Sequence, residues 1–108
     1  MSDTLLDYAR PLIDGLPDDA GLEELRALLK FASVVWNAVV EEDGDVDEAV
    51  LNLTTDMTAK LQGPPPEAVI EWLAERKVYR YGDDPRIVLS VEVFRNGDQL
   101  RVMAASAV

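Results

Sequence analysis

Apolar residues along this chain recur first at helical spacing and then, after one turn-rich stretch, at alternate positions. Leu5, Leu6, Ala9, Leu12, Ile13 and Leu16 form a stripe between Thr4 and Leu16, which predicts a first helix. Pro11 sits in its middle and lacks the N–H that a helix interior needs, so a kink or two short helical pieces are expected. The stretch GLPDDAG, Gly15 to Gly21, reads as a connection.

A second helix is predicted over Leu22–Val40. Leu22, Leu25, Leu28, Leu29 and Ala32 make one stripe, and Glu23 and Glu24 suit the positive end of the helix dipole. After Phe31 the apolar residues surround the helix, which places that part in the centre of the fold and makes Asn37 a candidate buried polar residue. Val46, Val50, Leu53, Met57 and Leu61 predict a third helix that stops at Gly63 before Pro64, Pro65 and Pro66. Pro66 suits the first turn of a fourth helix, in which Glu67 near the start and Arg76 and Lys77 near the end match the dipole. Val69, Ile70 and Leu73 are its inward residues, flanked by Trp72.

Beyond YGDDP, Tyr81 to Pro85, the period changes to two. Asn96-Gly97 is a strong signal for a tight hairpin turn, because a type I′ turn needs positive φ at both central residues. A turn there sets Arg95 opposite Asp98, Val93 opposite Leu100, Val91 opposite Val102 and Leu89 opposite Ala104, with Glu92 opposite Arg101 on the other face. That other face also holds Val88, Ser90, Phe94, Met103 and Ala105, more apolar than a solvated face requires. The expected fold class is α+β: a bundle of about four helices followed by a C-terminal antiparallel β-hairpin. It forms a single domain over 1–108, helical over 1–80, with the hairpin at 86–106.

The 108 residues, 48% of them hydrophobic, can bury a core without disulfides or metal. The chain has no cysteine and no histidine. This removes thiolate chemistry, imidazole bases and ligands, and every Ser/His or Cys/His nucleophilic system. The serines Ser2, Ser33, Ser90 and Ser106 have no activating base beside them in sequence. Two carboxylates alone could run glycoside hydrolysis; among 21 acids such pairs arise everywhere, and no catalytic residue is assigned. The glycines Gly15, Gly21, Gly44, Gly63, Gly82 and Gly97 stand singly at element ends instead of clustering as a phosphate cradle. Asn52-Leu53-Thr54 matches a glycosylation triplet but falls inside a predicted helix. No cofactor is expected.

The net charge of −11 is unevenly placed. Residues 1–58 carry 14 acids against Arg10, Arg26 and Lys30, whereas residues 59–108 carry seven of each sign. Such a balance repels phosphate backbones and anionic lipid surfaces, so neither nucleic acid nor membrane is expected as a partner. The most apolar run, Phe31 to Val40, is about half the ~20 residues of a bilayer span. No basic-then-apolar leader follows Met1, and a cytoplasmic location is the default expectation.

The densest acidic stretch is Glu41, Glu42, Asp43, Gly44, Asp45, Val46, Asp47, Glu48. Asp43, Asp45 and Asp47 match the first three ligand positions of an EF-hand loop. The sharp-turn glycine is replaced by Glu48 and the bidentate glutamate by Thr54. A turn explains the stretch better: Gly44 breaks the second helix, Asp45 caps the third and Glu48 stands at the third helical position. No metal site is assigned.

Three functional readings follow. The first is a non-catalytic domain working through protein contacts, as a homodimer using Tyr79, Arg80, Tyr81, Val88, Phe94 and Met103. The second is an acidic patch, Glu41, Glu42, Asp43, Asp45, Asp47 and Glu48, that mimics nucleic acid or neutralises a basic protein partner. The third is a small-ligand pocket near Trp36, Asn37 and Trp72.

Overall fold

Helical periodicity and capping residues produce four helices, and alternation produces two strands: α1 (Ser2–Asp14), α2 (Leu22–Glu41), α3 (Val46–Lys60), α4 (Glu67–Tyr81), β1 (Ile87–Asn96) and β2 (Gln99–Ala107). The fold is α+β, four helices followed by an antiparallel hairpin. The computed structural model describes residues 2–17, 19–60, 67–97 and 99–107, with backbone alone over 57–60. The expectations for the Met57 side chain, for Leu61, Gly63 and Pro64 to Pro66, and for Asp98 lie outside the described residues.

Two compact units can be told apart: Met1–Val34 together with Ile87–Val108, and Val35–Arg86. In the first, Leu5, Tyr8 and Ala9 of α1, Leu29 and Ala32 of α2, and Val88, Val91 and Val93 of β1 are buried. α1 is one helix and not two pieces, with Pro11 inside it. Only three residues follow the proline, and the end tightens through Gly15 N–H to Leu12 O at 3.2 Å and Leu16 N–H to Ile13 O at 3.0 Å. A proline this near the end disturbs little beyond its own missing bond.

The hairpin departs from its expected register by two residues. Asn96 pairs with Gln99, Phe94 with Arg101, Val93 with Val102, Glu92 with Met103 and Val91 with Ala104. Gly97 takes the first loop position at φ +67°, while Asn96 keeps a negative φ. Glycine enters the left-handed region at no steric penalty and asparagine does not, so the loop starts one residue later than the Asn-Gly pattern suggests. A slip of two leaves every side chain on its expected face.

A bulge at Leu89 does change the faces. The pairing shifts between Val88 and Ser90, leaving Leu89 as the extra residue. Val88, expected on the outer face, is instead 7% exposed, and Leu89, expected inside, is 65% exposed. One inserted residue reverses the alternation beyond it.

In the second unit Val35, Trp36 and Val39 of α2, Ala49 and Leu53 of α3, and Ile70, Leu73, Ala74 and Lys77 of α4 are buried, with α3 against α4. The turn between α2 and α3 is a helix stop followed by a cap. Gly44 N–H reaches Val39 O at 2.9 Å and Asp43 N–H reaches Val40 O at 3.1 Å, the two bonds of a Schellman motif. Asp43 occupies its left-handed position at φ 53°, followed by Gly44 at φ 86°. Asp45 then caps α3, its Oδ1 accepting the Glu48 N–H at 3.2 Å. We expect Asp45→Ala to lower stability by about 1 kcal/mol in urea unfolding, and an unchanged midpoint would show that this cap is redundant.

Candidate functional site

Position 77 follows Ile70, Leu73 and Ala74 at helical spacing and therefore lies on the buried stripe of α4. Lys77 is 2% exposed there. Its ammonium donates to Tyr81 O, a carbonyl at the end of α4 that also accepts the Asp84 N–H at 3.0 Å, and to Asp84 O at 3.0 Å. Its nitrogen also stands 4.2 Å from the centre of the Trp36 ring, where the negative face of the indole attracts a cation. Burial pushes the Lys77 ammonium below its usual range, and the nearby Asp84 and Asp83 carboxylates oppose that shift.

The rest of the cluster closes around the same turn. Trp36 is fully buried and donates Nε1–H to Arg86 O at 2.8 Å. Its ring is tilted against Tyr81 with centroids 5.4 Å apart. The Asp84 carboxylate accepts from Arg86 Nε at 2.9 Å, from Arg86 Nη2 at 2.6 Å and from the Arg86 backbone N–H at 3.1 Å. These bonds hold Asp84 below the ordinary carboxylate value of 3.8. Gly82 has no room for a side chain, since a Cβ there would stand 2.6 Å from Val78 O.

A cleft of about 450 Å³ opens beside this cluster, lined by Val39, Val40, Lys77, Val78, Asp84 and Pro85 among others. The donors of Lys77 already serve carbonyls and an indole, which makes this lysine an internal clamp and not a reactive amine. The residues of the ligand-pocket reading stand apart in their exposure. Trp36 is buried and Trp72 is 41% exposed. Asn37, expected to be buried, is half-buried and has a partner.

The candidate interface residues also divide. Tyr79 is 92% exposed and lines a shallow cleft of about 250 Å³ on α4 with Trp72, Glu75, Arg76 and Arg80. The Arg76 guanidinium lies 5.9 Å from the Trp72 ring centre. Tyr81 turns inward onto Trp36 instead, and Val88 is buried. On the outer face of the hairpin, Phe94 and Met103 are exposed beside Glu92 and Arg101.

In the acidic stretch Glu41, Asp43, Asp45, Asp47 and Glu48 are exposed, and Glu42 accepts from Asn52 Nδ2 at 2.9 Å. Asp43 ends α2, Asp45 caps α3, and Asp47 lies in the first turn of α3. Among the described residues no three carboxylates converge as a metal site requires.

The signal for Lys77 was present in the sequence as a cation on an apolar stripe near a helix end, and dipole matching alone does not reveal it. The chain matches no protein-family model, no curated protein and no solved structure at a significant level.

The carboxylate of Asp84 yields a pH test. Its pKa is lowered on folding, so the unfolded chain binds more protons as pH falls below 3.8, and the contribution of Asp84 to stability is lost in that window. The stability gap between the wild type and Asp84→Asn should narrow from about pH 5 to about pH 2 in urea unfolding. A constant gap would remove the role assigned to this pair.

Proposed function

We propose that this chain is a non-catalytic domain that works through protein contacts, as a homodimer that buries the outer face of the hairpin. The observation that carries this reading is the exposure of Phe94 at 40%, Met103 at 59% and Leu89 at 65% on a sheet of only two strands. Two strands with one apolar face uncovered are marginal in water. The charge distribution favours a second copy there: Glu92 and Arg101 on that face sum to zero on a chain of net −11. Two such chains meet with least repulsion where neither brings excess acid. The lack of histidine and cysteine supports the non-catalytic part.

Tyr79 and Arg80, exposed on α4, offer a second contact surface of the residue types that dominate interface energetics. The exposed carboxylates Glu41, Asp43, Asp45, Asp47 and Glu48 favour a further role, attraction of a basic protein partner. Salt separates the two readings, because a charge-driven complex dissociates as salt rises and an apolar interface persists.

Light scattering coupled to size exclusion tests the dimer. The wild type should run as a dimer at high micromolar concentration, and Phe94→Glu or Met103→Glu should convert it to a folded monomer. A wild type that is monomeric at that concentration would end the dimer reading.

A further inference from the structure

Each strand of this two-stranded sheet has an outer edge, and the two edges are finished differently. On β2 the Ala104 N–H, directed away from β1, donates to Ser2 Oγ at 2.9 Å, and α1 packs along that strand. On β1 the Val93 carbonyl receives Arg26 Nη2 at 3.1 Å and so points away from β2. Backbone direction alternates along an antiparallel strand, so the N–H and C=O groups of Val91 and Arg95 point to the same side as those of Val93. A cleft of about 460 Å³ runs beside this edge, lined by Arg26 and Lys30 from α2 and by Val91, Glu92, Val93 and Phe94 from β1.

The charge of the cleft runs against that of its surroundings. Residues 1–58 hold only three basic side chains among 14 acids, and two of the three, Arg26 and Lys30, line this cleft. Two carboxylates stand near them. Glu23 pairs with Arg26 at 3.1 Å, and Glu92 lines the cleft from β1. Lys30 is exposed and has no salt-bridge partner among the described residues. Arg26 and Lys30 are four residues apart on a helix, a separation of about 6 Å along its axis. Alternate residues of an extended strand are separated by about 6.6 Å, so two carboxylates on one face of a strand are spaced like the two cations.

We propose that the outer edge of β1 is a docking site for an extended acidic segment of a partner protein. The segment adds as a third strand to the backbone groups of Val91, Val93 and Arg95, with alternate carboxylates on Arg26 and Lys30. Arg26 covers the edge while it is empty, donating to the Val93 carbonyl, and turns to a partner carboxylate when a strand N–H replaces it. The edge borders the outer hairpin face, with which it shares Glu92 and Phe94, but it is read through backbone groups, and its test reads peptide binding and not oligomeric state.

The test uses the full chain and a fluorescein-labelled heptapeptide, Thr-Val-Glu-Val-Glu-Val-Thr, followed by anisotropy at about 0.15 M salt. Saturable binding is expected, weakened at least about fivefold by Lys30→Glu, an exposed position whose substitution leaves the core intact. N-methylation of the peptide on the edge facing β1 should abolish binding, and N-methylation on its opposite edge should not. Absence of saturation by about 1 mM protein, equal binding of a peptide with lysine in place of glutamate, or indifference to which edge is methylated would each overturn the proposal.

Discussion

One buried ammonium group orders the end of α4 and the turn that follows it. Lys77 reaches two carbonyls, Tyr81 and Asp84, and rests on the Trp36 ring. Each partner does something that no apolar residue could. The carbonyls at a helix end need donors, the cation needs compensation for leaving water, and the indole supplies part of it on a face that would otherwise only pack. Trp36 then binds Arg86 O through its own N–H, and Arg86 holds Asp84. The turn over Tyr81–Arg86 is therefore tied to α2 from several points, with Gly82 admitting the close approach of Val78 O.

Lys77 is the one buried charged side chain among the described residues, on a chain of net −11. A cation buried in such a chain sits in a favourable field, whereas any buried carboxylate would add to repulsion. No acid is buried among the described residues, and two acids close helix termini: Glu24 accepts the Gly21 N–H before α2, and Asp45 caps α3. The remaining excess acid leaves the hairpin and its β1 edge among the places where charge is balanced, and the proposed dimer face and docking edge lie there.

The helices were legible because period and punctuation agree. The α2 and α3 boundaries follow from Leu22, the Asp43-Gly44 stop and the Asp45 cap. The strands were legible in position and not in register, since Asn96-Gly97 offers two placements of a two-residue loop and only backbone conformation separates them. The Leu89 bulge was hidden for a similar reason: both Val88 and Leu89 suit a buried position, so alternation alone cannot reveal where it breaks. Asymmetric burial around α2 was also missed, with Val34 at 45% exposure in a run that reads as apolar on all sides. Lys77 escaped because a lysine near a helix end is ordinarily solvated, and only its position on the stripe of Ile70, Leu73 and Ala74 marks it.

The most direct test of the Lys77 clamp is amide hydrogen exchange by NMR on the wild type and Lys77→Met, which keeps the apolar stem and removes the donor. The Asp84 N–H, bonded to Tyr81 O at 3.0 Å, and the Arg86 N–H, bonded to the Asp84 carboxylate, report on the turn. Both should exchange at least about tenfold faster in the variant while amides in the middle of α2 keep their protection. Unchanged protection at Asp84 and Arg86 in a folded Lys77→Met chain would contradict the account.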